Sequence, residues 1–196
     1  MRIIDGAPVY DFAQQLEWSK ANSDESQWNA FYQRLWPDAR YVLTPDRESQ
    51  RAGIDRRIVL PNGRNILVDE KLRSTARWSD VLLEEWSVFY GVGNPRNKVG
   101  WSLDMNKRVD FVAYAIPLLG LCYLLPFELL RQTYIANKDP WHQVRSAYPL
   151  DAQNVGYRTR NCAVKWSVLR EAMAVQMHRR YGLPEAPKPV QHGLFE

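Results

Sequence analysis

The chain has 196 residues, 45% of them hydrophobic and 12% aromatic, which suffices for one domain with a sizeable buried core. A net charge of +4 makes it mildly basic, too weakly so to identify a nucleic-acid binder by charge alone. Two cysteines (Cys122 and Cys162) and three histidines exclude a disulfide framework and a zinc-finger spacing. The longest mainly apolar run, 109–130, is broken by Asp110, Pro117, Gly120, Pro126 and Glu128, which excludes a membrane-spanning helix. The opening residues, Met-Arg-Ile-Ile-Asp-Gly, lack the apolar segment of a secretory signal, so a reduced, cytoplasmic protein is expected.

Residues 1–181 are expected to form a single α/β domain, and 182–196 a proline-rich tail. Residues 10–36 read as helical, because Phe12, Leu16, Trp28, Phe31, Tyr32 and Leu35 recur at helical spacing before Pro37 stops the run. Residues 38–53 read as a connecting segment that contains a short strand at Tyr41-Val42-Leu43. Arginines cluster at 47–57, 73–77 and 158–160, with Lys107 and Arg108 as a smaller group.

The next stretch is the most informative. Two apolar cores, Ile58–Leu60 and Ile66–Val68, flank Pro61-Asn62-Gly63. Proline presets the first central position of a type I turn, Asn suits the second, and Gly supplies the left-handed residue that follows. That predicts a three-residue hairpin loop with a glycine bulge. Leu60 should then face Arg64, with Val59–Asn65, Ile58–Ile66, Arg57–Leu67 and Arg56–Val68 following outward. Asp55 lands opposite Asp69 in this register. Lys71 lies two residues on, on the same face, while Glu70 points away.

Beyond the hairpin, Asp80–Tyr90 reads as a strand, with a helix as the alternative, and Arg108–Ile116, Leu121–Leu125 and Arg160–Ser167 read as further strands. Phe127–Ala136 and Val168–Tyr181 read as helices, and 137–157 as irregular and polar. Both hairpin faces carry apolar residues, so strands covered on both sides, as in an α/β layered domain, are expected.

Two acids facing one another repel unless a cation lies between them. Hard carboxylate ligands with few other protein contacts suit Mg2+ or Mn2+. Such an ion polarises a phosphate and acidifies a bound water, and a neighbouring lysine can orient that water or offset developing charge. Asp55, Asp69 and Lys71 therefore make a minimal kit for phosphodiester hydrolysis.

Asp55 followed by Asp69-Glu70-Lys71 resembles the motif of the PD-(D/E)xK nuclease superfamily, in which an Asp on one hairpin strand faces acid-x-Lys on the next. Residue 54 is Ile where the motif's name has proline. The resemblance covers 51–73 at motif level. It implies a restriction-endonuclease-like fold with a mixed central β-sheet flanked by helices, catalysis with a divalent metal, and nucleic acid, DNA foremost, as substrate. It also implies that Asp55 and Asp69 ligate the metal and Lys71 positions water, with Glu17 or Glu25 as a further acid from an N-terminal helix. Arg57 and Arg73 share the site's face and are candidates for flanking phosphates. Trp78, Trp86 and Trp101 lie in or near the adjoining segments, where core packing competes with base stacking as their role.

In the tail, Gln191, Leu194 and Phe195 resemble the peptide by which bacterial replication and repair proteins dock on the sliding clamp; His192 and Gly193 depart from its usual residues. The expectation is a metal-dependent nuclease of phage or bacterial DNA processing, repair or restriction. The rival expectations are a non-catalytic nucleic-acid-binding or assembly protein and a hydrolase of smaller phosphate esters.

Overall fold

The computed structural model describes residues 2–4, 7–9, 25–43, 45–73, 79–143, 147–154 and 156–182. Its elements in chain order begin with β1 (Arg2–Ile4), β2 (Ala7–Val9), α1 (Glu25–Leu35), β3 (Tyr41–Leu43) and α2 (Arg47–Arg51). Next come β4 (Arg56–Val59), β5 (Asn65–Leu72), β6 (Asp80–Phe89), β7 (Lys98–Val99), β8 (Phe111–Ile116) and β9 (Leu121–Pro126). The last are α3 (Phe127–Trp141), β10 (Ala147–Asn154), β11 (Tyr157–Lys165) and α4 (Trp166–Tyr181). No described helix is long and apolar enough to cross a membrane.

Local turn chemistry builds the hairpin as expected. Gly63 takes φ +80°, its N–H donates to Leu60 O at 2.9 Å, and Leu60 N–H donates to Arg64 O at 2.9 Å. The four pairs from Val59–Asn65 to Arg56–Val68 follow in the predicted register. One face, with Ile58, Ile66 and Val68, packs on Trp28 and Tyr32 of α1. The opposite face turns toward the larger core of β6, β8, β11, α3 and α4, against which Leu67 packs.

The α/β class holds, but the expected central sheet is two sheets. One runs β3-β4-β5-β8-β9 and the other β1-β2-β10-β11-β6-β7. β5 and β8 are parallel, so the chain between them must cross over. The crossover carries β6, which pairs with β11 from far along the chain rather than with β5. Local pattern cannot encode such a choice of distant partner.

Three local expectations need correction. The 38–53 connector holds α2, capped by Asp46, whose carboxylate accepts the Glu48 and Ser49 N–H groups at 2.9 Å. Helix α3 runs on to Trp141 instead of ending at Ala136, because Trp141 is buried and stacks on Tyr134. The polar stretch 137–157 holds β10, whose Asp151 sits opposite Arg160 and bonds it. The part of the predicted N-terminal helix at 10–24 lies outside the described residues.

Candidate active site

Two short devices bring the acids together. On β5, alternation puts Asp69 and Lys71 on the face opposite α1, level with Val112 and Tyr114 of β8. On the other side, the C-terminal turn of α2 passes through Gly53 at φ +79°, a left-handed conformation that suits glycine, and delivers Asp55. Here the ladder departs from simple opposition. Asp55 N–H donates to Val68 O at 2.9 Å, and its Oδ2 accepts the Glu70 N–H at 2.8 Å. The carboxylate thus takes over an N–H of β5 just before β4 begins, and it still reaches Asp69.

Asp69 is 1% exposed. Its Oδ1 accepts a bond from Lys71 Nζ at 2.5 Å, and Lys107 Nζ stands 3.0 Å from Oδ2. The Lys107 contact is an ion pair without hydrogen-bond alignment, so Oδ2 has no hydrogen-bond partner. Lys107 fills the space above Gly53: a Cβ there would lie 2.5 Å from its Nζ. Burial pushes the Asp55 carboxyl up to about 6, and the Asp69 carboxylate pushes the same way. Lys71 and the Glu70 N–H oppose both. Glu84 of β6 joins this field. Burial raises its pKa, while Lys71, a hydrogen bond from the Trp101 backbone and Lys107 pull it down. The Lys71 ammonium lies 5.9 Å from the centre of the Trp101 ring.

The structure therefore brings Asp55, Asp69 and Lys71 together and adds Lys107, Glu84 and Trp101. In the sequence Lys107 stands out only as one of a basic pair with Arg108, and Glu84 not at all. Neither carries a local signal, because both arrive from the crossover. Glu70 points away as expected. It accepts from Tyr32 Oη at 3.0 Å and Arg56 Nε at 3.0 Å on the α1 face.

Glu25 does not join the site. It lies on the Glu70 face, 3.2 Å from Arg56 Nη1, because α1 packs on that side of the sheet. Glu17 lies outside the described residues, as do Gln191, Leu194 and Phe195 of the tail and Trp78. Arg57 pairs with Leu67, which puts it on the site's face, and its Nε is buried without a hydrogen-bond partner. Arg73 is engaged elsewhere: its Nε and Nη2 bond the two oxygens of buried Asp80 at 3.2 and 3.4 Å. It is a structural partner of β6 rather than an open phosphate ligand.

Magnesium is commonly held by one or two carboxylates, with water and phosphate completing its shell. Asp55 and Asp69 fit that requirement: Asp69 Oδ2, though 3.0 Å from the Lys107 ammonium, accepts no hydrogen bond, and the two facing carboxyls raise the Asp55 pKa as a site that favours a cation does. A fuller protein cage is lacking: no group of three His, Cys, Asp or Glu side chains among the described residues is arranged to hold a metal. Comparison with protein-family models, curated proteins and solved structures gave no match.

Proposed function

We propose that the chain is a cytoplasmic metal-dependent nuclease with a restriction-endonuclease-like site, hydrolysing phosphodiester bonds in nucleic acid, DNA foremost. The observation that supports this reading most is the meeting of Asp55 and Asp69 beside Lys71, with Asp55 held near 6 by burial and by its acidic neighbour. Such tension between carboxylates is relieved by a divalent cation. Bound there, Mg2+ or Mn2+ would supply the charge that polarises phosphate and acidifies water. Asp55 and Asp69 would hold the ion. Lys71, within reach of the same carboxylate, would orient the attacking water or offset charge on the phosphate oxygens. Lys107, 3.0 Å from the other oxygen, would pair with buried Asp69 and hold it in place. Because Asp55 must lose its proton to ligate, activity should rise as pH passes through about 6.

One observation favours a second reading. Lys71 and Lys107 neutralise Asp69 between them, as a cation would, which suits a non-catalytic nucleic-acid-binding protein with a structural ion cluster. Cleavage of labelled single- and double-stranded DNA and RNA, in Mg2+ or Mn2+ against EDTA, separates the two. The nuclease reading expects metal-dependent cleavage that Asp69→Ala and Lys71→Ala each abolish. Cleavage that survives both substitutions refutes the site, and binding without cleavage of any substrate favours the second reading.

A further inference from the structure

Further along β6 from Glu84, the surface changes character. Trp86 and Phe89, with Asn94 and Asn97 of the following turn and Arg160 of β11, line a cavity of about 380 Å³. The Arg160 guanidinium lies 4.2 Å from the Phe89 ring centre, and that of Arg158 lies 5.5 Å away. On the rim, Arg96 covers the exposed Tyr90 ring at 4.4 Å, and Tyr157 stands beside that ring. Lys98 is exposed on β7. Asp151 pairs with Arg160 at 3.1 Å and Arg158 at 3.6 Å, and among the described residues neither Arg96 nor Lys98 has an ion pair. The patch stays net positive.

We propose that this patch binds single-stranded nucleic acid. Arginines interleaved with aromatic rings are what a single strand requires: cations for the phosphates and π-faces for unstacked bases. A duplex keeps its base faces hidden and would use only the cations. The cavity falls in the size range of small-ligand sites, room enough for one base and its sugar. Asn94 and Asn97 stiffen its wall: Asn97 Oδ1 accepts the Tyr90 N–H, and Asn94 Oδ1 accepts the Arg96 N–H.

The patch also shares strand β6 with Glu84 of the acid cluster. Trp86 and Phe89 are two and five residues beyond Glu84, about 7–17 Å along the strand. The turn that walls the cavity leads through β7 and Gly100 to Trp101 and Lys107. A single strand lying on the patch would therefore run toward Asp55 and Asp69. That direction rests on the nuclease reading; the binding itself does not.

Fluorescence anisotropy of a labelled deoxythymidine oligomer, titrated in EDTA over a salt series, tests the proposal without any cleavage. Two variants are made at exposed positions, Tyr90→Ala and the double Arg96→Glu, Lys98→Glu. Tyr90→Ala should weaken binding by about 5- to 100-fold if a base stacks there. The double variant should weaken it by at least about tenfold and reduce the salt slope by about 1 for each phosphate that is no longer neutralised. Blunt duplex should compete less well than the single strand. Unchanged affinity in both variants overturns the proposal, as does equal competition by duplex or a preference for polyglutamate over the oligomer. Binding that depends on the patch, with no cleavage in magnesium or manganese, sinks the nuclease reading alone. Cleavage by a parent protein whose binding both variants leave untouched sinks this one alone.

Discussion

Replacing Asp55 with asparagine should make the protein more stable at neutral pH while removing the proposed nuclease activity. The carboxyl is raised from an ordinary 3.8 to about 6, so the folded chain holds this proton more tightly than the unfolded one. Stability from that difference is fully present below about pH 3.8 and is lost as pH rises through about 6. At about 1.4 kcal/mol per pH unit the full effect approaches about 3 kcal/mol. The carboxyl is partly open to water, so the realised figure at pH 8 should fall at about 1–3 kcal/mol. Asparagine keeps the shape, its Oδ1 can accept the Glu70 N–H, and its amide can donate to Asp69. The variant should therefore melt about 2–12 °C above the parent at pH 8, with the gap closing toward pH 4. On the nuclease reading, magnesium should raise the melting temperature of the parent and leave the asparagine variant unmoved, since only the parent would hold both proposed ligands. Thermal melts at the two pH values, with and without the ion, read all of this. A variant less stable than the parent at pH 8, or a gap that ignores pH, would refute the electrostatic account of the site.

Lys107→Met should leave Asp69 with one cation instead of two, costing about 1–3 kcal/mol by urea denaturation and reducing the rate of cleavage at saturating metal. Gly53→Ala should cost about 1–2 kcal/mol, chiefly from the left-handed backbone, because the clashing Lys107 Nζ is the end of a flexible chain. Displacement of Lys107 by that methyl should also be visible as reduced activity. Arg73→Ala should destabilise by about 3–5 kcal/mol, since it strands buried Asp80, and should leave the affinity for DNA unchanged in a folded preparation. A loss of affinity without a loss of stability would return Arg73 to the phosphate-binding role expected from its position just beyond β5.

The acid pair and its second lysine divide the work of the site between local and distant parts of the chain. Asp55, Asp69 and Lys71 come from one hairpin, so their spacing depends on a turn and on strand alternation. Lys107 and Glu84 come from the crossover between β5 and β8, and they exert their influence through charge. A site assembled in this way can keep its geometry while its electrostatics change. Stability, pH dependence and binding are therefore separable from cleavage.

Pro61, Asn62 and Gly63 determined the hairpin register by themselves, because φ preferences within a three-residue loop leave one pairing of the flanking strands. That register already selected Asp55, Asp69 and Lys71 and turned Glu70 away. Helix α1 and strands β6, β8, β9 and β11 were legible for a similar reason: their apolar residues repeat within a single element. Strand β10 was hidden by its polar residues and exists by pairing with β11; α2 was too short to show a period. Only the tertiary structure decided that β6 leaves the hairpin's sheet, and that Lys107 comes to rest on Asp69 above Gly53. It also decided that Arg73 answers to Asp80 and Glu25 to Arg56. Each of these contacts joins segments whose meeting depends on the path of the whole chain, and no local preference of backbone or side chain records that path.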